Sequence, residues 1–438
     1  MNNKMQIRSR HRTDCEKIIL TILLIIFIEG ILSVFIPQIH PIYYLVDLLN
    51  IFLFLVMITS KKTMKLYKTP LKKFMICLSL FSTVAVIGIF INFSNITLHL
   101  WGIRSVFSNL IFFVSCVLFE HSDSLDFLEK LFWVNMVISF IEMLLGYRQD
   151  WFGGIYGIVQ GNVNGSLNLL LIIIMTKSFI DYINKKVKLN SVFFKGLISI
   201  VIASFAELKI FYVEICILVV LCSLVTKFSY KKLAIILLSI VGVLFGIRAL
   251  FFIFPDFDVS MFSLSNMWRY LTNPGGYVGQ FAHDAGDVNR LAFWDKCIKL
   301  LKGEFEQLFG LGIGNCDKID FLGIESSFYR QYKALHYYMF PLPMILLQQG
   351  IIGMVLYILL FVFIFLAVKK KKNTIKNKNI SLYQIVEVLC IMSFIIIIYD
   401  TSLMGKGGYL FFYVLSLPFV NSTSKFDEKE KIEKNYDS

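Results

Sequence analysis

Apolar stretches long enough to cross a bilayer follow one another along nearly the whole chain, separated by short polar segments. A helix needs about 20 apolar residues to span a hydrocarbon core roughly 30 Å thick. By that measure the pattern predicts twelve spans, at 18–38, 42–60, 74–92, 105–119, 127–146, 164–183, 194–206, 210–226, 233–254, 338–368, 381–399 and 408–420. Helices are required, because an open strand in lipid leaves backbone groups unpaired. Residues 194–227 also read as one long helix, but that would carry the large polar segment to the lysine-rich side, so two short helices meeting at "AELK" (206–209) are expected. The last span is short, which suits a tilted or thinly embedded helix. The fold class expected is an all-α polytopic membrane protein of about 12 transmembrane helices, with one large extracytoplasmic loop that contains a short amphipathic helix.

Charge gives the pattern a direction. With the basic N-terminus (Arg8, Arg10, Arg12, Lys17) in the cytoplasm, odd-numbered spans run outward. The lysine clusters "KKTMKLYKTPLKK" (61–73), "KKVK" (185–188) and "KKKKNTIKNK" (369–378) then all fall on the cytoplasmic side, as topology demands of short loops. The first apolar run lacks a small-residue cleavage site, so it is expected to stay as a first helix. Both termini are then cytoplasmic.

Composition agrees: 57% of the 438 residues are hydrophobic, 17% are charged and the mean hydropathy is +0.70, more apolar surface than a soluble domain of this size can hide. The net charge of +13 sits in the short loops, so topology explains it and no nucleic-acid partner is expected. The eight cysteines lie mostly in apolar runs with no metal-ligand spacing. Only Cys297 and Cys316 share the large loop; two unpaired thiols are expected, with a disulfide as the alternative.

The chain thus divides into spans one to nine (1–255), the large loop (256–337), spans ten to twelve (338–420) and a solvated charged tail (421–438). From Asp256 to His336 the loop carries ten acidic and eight basic residues. It is longer than ordinary connections, and loops of that length are usually functional or disordered. Within it, "NRLAFWDKCIKLLKG" (289–303) places Leu291, Trp294, Ile298 and Leu301 at helical spacing, with Asp287 or Asn289 able to cap its start. A glycine-rich turn, "FGLGIGN" (309–315), and an aromatic-rich return follow.

Ionisable side chains at membrane depth are costly and are functional candidates by default. Lys209, at the tip of the short helix pair beside Glu207, is either a snorkelling anchor or a cation for an anionic substrate. Arg290, at the start of the amphipathic helix, adds a fork of donors to a helix end that already favours anions; pairing with Asp287 is its plainer reading. His336, where the loop meets span ten, suits a general base for a hydroxyl nucleophile, or a belt residue beside Tyr337 and Tyr338. Arg104, at the outer mouth of span four, is a phosphate candidate or a snorkelling arginine. Asp256 and Asp258 have a D-x-D spacing that binds metal in some sugar transferases and is common by chance. The outer segment "YRQDWFGGIYGIVQGNVNG" (147–165) has a composition suited to sugar contacts, with Asp150 and Asn164 as its polar candidates; turn chemistry explains it almost as well. Arg330 is a further polar candidate of the large loop. Asp47, Glu142, Glu214, Arg248 and Glu387 are too scattered for an ion path to be assigned.

The order of these features is similar to a known family. Outer-loop "GNVNG", the basic tip "AELK", "R-x-x-x-W…LFGLGIGN" and "LH" leading into "QQGIIGMVLYILLF" resemble the Wzy-type polysaccharide polymerase and O-antigen ligase superfamily of bacterial membrane proteins, from about Arg104 to Phe361. "QDWFGGIYG" is especially similar to its capsular and exopolysaccharide branch. The resemblance implies a metal-independent GT-C glycosyltransferase, with no cofactor, in the bacterial cytoplasmic membrane, acting at the outer face on undecaprenyl-pyrophosphate-linked oligosaccharides. It implies Lys209 and Arg290 as pyrophosphate ligands; Arg104 is a further candidate from its position at the mouth of span four, not from the resemblance. His336 would be the base that deprotonates the acceptor, and a flippase and a chain-length regulator are the partners it suggests. Lys209 stands where many members have arginine, and Tyr337 where they often have asparagine. The expectation is a repeat-unit polymerase, with a ligase of the same superfamily, a lipid-linked oligosaccharide flippase or a metal-dependent transferase using Asp256 and Asp258 as alternatives.

Overall fold

A computed structural model of the chain describes residues 2–120, 124–147, 151–158, 163–226, 293–374 and 380–420. The expected span at 233–254, Arg248, Asp256, Asp258, Arg290, Asp150 and the tail lie outside the described residues.

The described chain is mostly helical. Helices α1 (Asn2–Ser33), α2 (Tyr44–Thr59), α3 (Lys61–Leu66), α4 (Lys72–Ile91), α5 (Ile96–Phe119) and α6 (Phe127–Leu144) are followed by α7 (Val163–Ile183), α8 (Leu189–Phe205) and α9 (Lys209–Val225). The second part holds α10 (Phe293–Leu300), α11 (Glu304–Phe309), α12 (Ser327–Tyr332), α13 (Pro341–Lys372), α14 (Ile380–Tyr399) and α15 (Lys406–Ser416). Six helical stretches, among them α4, α5, α7, α13 and α14, are long and apolar enough to cross a membrane, and α8 and most of α9 are shorter apolar helices. The two short helices meeting at "AELK" are therefore present as separate elements. One departure from an all-helical chain is a two-residue antiparallel pair, β1 (Lys318–Ile319) with β2 (Ile324–Glu325).

Helices α7, α14 and α15 are buried almost all round, the property of a helix inside a bundle. The bundle's exterior is apolar instead: Phe90 is 81% exposed, and Leu48 and Leu224 also stand outside. Lysines gather at one end, where Lys372 at the close of α13 bonds Glu387 of α14 at 2.6 Å. The other end, here the loop end, carries residues 310–340.

Two departures from the expected spans shape the loop end. First, α5 begins at Ile96, capped by Asn95, whose side chain accepts the Thr97 N–H at 2.9 Å. His99 and Arg104 interrupt the apolar run in sequence, yet both turn inward, so Arg104 lies about two turns inside the helix rather than at its mouth. Second, α13 is broken at Gly350 (φ 67°, ψ −169°). A Cβ there would stand 2.3 Å from the Leu308 carbonyl, so the close approach of the loop requires glycine. At the break, the carbonyls of Leu347 and Gln348 accept the N–H groups of Leu311 (2.8 Å) and Gly312 (3.0 Å).

The glycine-rich turn is thereby wedged between α4, α5 and α13. Gly314 (φ 85°) would carry a Cβ 2.1 Å from the Leu98 carbonyl. The His99 ring donates from Nδ1 to the Ile313 carbonyl at 2.6 Å and accepts the Ser94 N–H at Nε2. Asn315 donates to the Asn92 and Leu311 carbonyls at 2.7 and 2.6 Å. Buried backbone polar groups must find partners, and here the wedge supplies them.

Candidate functional site

At the loop end the helices enclose a cavity of about 320 Å³. Its wall combines elements far apart in sequence. Tyr43 and Asp47 come from the start of α2, Arg104 and Ser108 from α5, and Val163 and Ser166 from the first turn of α7. Asp317 and Tyr338 come from the loop, and Lys406 and Tyr409 from α15.

Two cations dominate one side. The Arg104 Nε donates to Asp47 Oδ2 at 2.7 Å, and its guanidinium lies over the Trp101 ring, 4.3 Å from the centroid. Its two terminal nitrogens hold no hydrogen bond among the described residues. Lys406 donates to Glu29 Oε2 at 2.5 Å. The other oxygen of that fully buried carboxylate accepts from His40 Nδ1 at 2.6 Å. The ring of Tyr43 stands against both cations, 5.7 Å from Arg104 and 5.1 Å from Lys406. Each cation therefore spends one donor on a carboxylate and keeps others for the cavity. An arginine fork and a lysine point charge in such a setting are suited to a phosphate or carboxylate.

Asp317 is placed by the wedge. Its N–H bonds the Gly314 carbonyl at 3.1 Å, its carbonyl accepts the Ser326 N–H at 3.0 Å, and its Oδ2 accepts from Gln348 Nε2 at 2.9 Å. The residue is half-buried and lines the cavity. Loss of bulk solvation pushes its carboxyl up to about 7, against the opposing pull of the Gln348 amide. Next to it, burial pushes the Cys316 thiol up, and the Tyr337 hydroxyl donates to the Cys316 carbonyl at 2.7 Å.

Of the residues singled out in the sequence, Arg104 is in the cavity wall. Asn164 sits on the first turn of α7 between two wall residues, its Oδ1 accepting the Gly165 N–H at 2.8 Å. His336 adopts a left-handed conformation (φ 51°) at the junction of the loop with α13. Its ring is 6.2 Å from that of Tyr338, which lines the cavity, whereas His336 is not among the lining residues. Glu207, exposed and left-handed (φ 50°), lies at the α8–α9 turn, and Lys209 opens α9; Glu207 does not line the cavity. Arg330 is a surface residue, 72% exposed and 3.9 Å from Glu325.

The scattered acids have separate local partners: Asp47 with Arg104, Glu214 with Asn168 at 2.8 Å, and Glu387 with Lys372. Glu142 accepts the Gly154 N–H at 2.7 Å and so anchors "GGIY". Cys297 and Cys316 are buried free thiols. Among the described residues no group of three or more His, Cys, Asp or Glu is arranged to hold a metal ion. Sequence reasoning missed Lys406, Glu29, His40 and Asp317. Lys406 had a readable signal, a lysine two residues before an apolar run; Asp317 had none, being one acid among ten in a loop.

No protein-family model matches the chain, and no curated protein and no solved structure is significantly similar to it.

Proposed function

We propose that the chain is a twelve-span glycosyltransferase of the bacterial cytoplasmic membrane, with its loop end outside, that joins undecaprenyl-pyrophosphate-linked oligosaccharide repeat units into a surface polysaccharide. The observation that carries this reading is the cavity at the loop end where Arg104 and Lys406 keep donors unshared. Charge grows on a diphosphate leaving group as the glycosidic bond breaks, and preorganised cations lower the barrier by stabilising that charge. Tyr43, Tyr338 and Tyr409 offer rings to a sugar, and the apolar exterior suits a polyprenyl carrier. Arg290 and Lys209 are further diphosphate ligands in this reading, and the family resemblance offers His336 as one candidate for the acceptor base.

A second reading has a specific observation in its favour. Arg104 lies inside the bundle, where a flippase for the same lipid-linked substrate would hold its cations. Purified protein given lipid-diphosphate oligosaccharide separates the two: a ladder of products identifies a polymerase, and unchanged substrate identifies a transporter. Arg104→Ala and Lys406→Ala are each expected to lower ladder formation by about 10²-fold or more, with Arg104→Lys between the wild type and Arg104→Ala. Full activity in both alanine variants would remove this cavity as the diphosphate site.

A further inference from the structure

Given the glycosyl-transfer reading, on which this inference rests, we infer that Asp317 is the catalytic base that takes the proton of the acceptor sugar's hydroxyl. Four observations lead there. Asp317 lines the same cavity as Arg104 and Lys406. Among the described residues it is the cavity-lining carboxylate that has no cation partner, since Asp47 is taken by Arg104 at 2.7 Å. Its Oδ2 is fixed by Gln348 and its backbone is tied on both sides, while Oδ1 carries no hydrogen bond among the described residues. His336, by contrast, is not among the residues that line the cavity.

The step balances as a single displacement. The acceptor oxygen forms a bond to the anomeric carbon, and the bond from that carbon to the diphosphate oxygen breaks. The electron pair leaves with the diphosphate, beside Arg104 and Lys406, and the hydroxyl proton passes to Asp317 Oδ1 and then to water. A base is most effective when its pKa lies near the working pH, and burial brings this carboxyl close to neutrality. The ionisable groups that share its cavity are Arg104, Asp47, Lys406, Tyr43, Tyr338 and Tyr409. Burial raises the Tyr338 phenol, as it raises the adjacent Cys316 thiol, so neither competes for the role.

The experiment is a ladder assay on the purified full chain with lipid-diphosphate oligosaccharide, across pH 5.5 to 9, for the wild type and for Asp317→Asn, Asp317→Glu, His336→Ala and Arg104→Ala, each checked for monodispersity. The expected result is a loss of about 10²–10⁴-fold in kcat for Asp317→Asn with little change in KM. Asp317→Glu should recover part of the rate with a displaced acidic limb, and His336→Ala should keep the acidic limb of the wild type. An Asp317→Asn rate within a few-fold of wild type, or an acidic limb that vanishes with His336→Ala alone, overturns the inference. If that happens while Arg104→Ala is inactive, the glycosyl-transfer reading survives with a different base. If Arg104→Ala is also fully active, the reading itself falls.

Discussion

Glu29 holds the cationic side of the cavity in place. Fully buried, it bonds His40 through one oxygen and Lys406 through the other, and a buried charge persists only where it is paired. Asp317 is the opposite case, an acid held by a neutral amide, and its raised pKa has a consequence for stability. An unfolded chain releases this proton near pH 3.9, whereas the native carboxyl keeps it up to about 7. Between those values the native state binds more protons than the unfolded state, so this residue's contribution to stability falls as pH rises and is level above about 7. Asp317→Asn should remove that decline. Melting of the detergent-solubilised protein at pH 5 and pH 8 tests it: the wild type should lose more on going to pH 8 than the variant does. Arg104 was recognisable in the sequence as a cation at the edge of an apolar run, but its depth was not. Hydropathy truncates a helix at an inward-facing polar residue.

The elements that decide the geometry are the broken helix α13 and the glycine-rich wedge that fills its break. "FGLGIGN" reads in sequence as a turn; its use is to bring backbone into contact with three helices, and from there to aim Asp317. Gly314→Ala would put a methyl group 2.1 Å from the Leu98 carbonyl at a φ of 85°, a strain of about 1–3 kcal/mol for the backbone alone, with the clash in addition. The wedge should undock, and limited proteolysis should cut within 310–340 in that variant well before it cuts the wild type. Equal cleavage of the two would show that the wedge does not depend on this approach. The short helices α8 and α9 were legible because a single long helix would have broken the charge rule. The break at Gly350 was not, since Gln348, Gln349 and Gly350 lie in a continuous helical pattern.

For the whole molecule, the proposed orientation puts residues 310–340 outside and the lysine clusters in the cytoplasm. A cysteine at Leu322, 49% exposed at the loop end, should react in whole cells with a membrane-impermeant maleimide, and a cysteine at Lys61 should react only after lysis. The reverse pattern would invert the protein and place the cavity in the cytoplasm. The buried thiols of Cys297 and Cys316 should contribute little background.

The spacing of apolar runs by itself determined that the chain is mostly helical, with several helices long and apolar enough to cross a membrane, and the lysine clusters set the orientation proposed for them. Both follow from the cost of placing backbone polar groups and charges in hydrocarbon, a cost that acts on every residue wherever it packs. Which charged groups meet was decided only by the tertiary structure. Arg104, Asp47, Lys406, Glu29 and Asp317 come from four helices and a loop, and their distances depend on how those elements pack. The wedge packs where it does because alternate glycines let backbone approach backbone, and no periodicity in the chain records that contact. His336 was visible because it stands at a boundary; Asp317 became visible once the loop was folded against the bundle and one acid of that loop was seen to face the cavity.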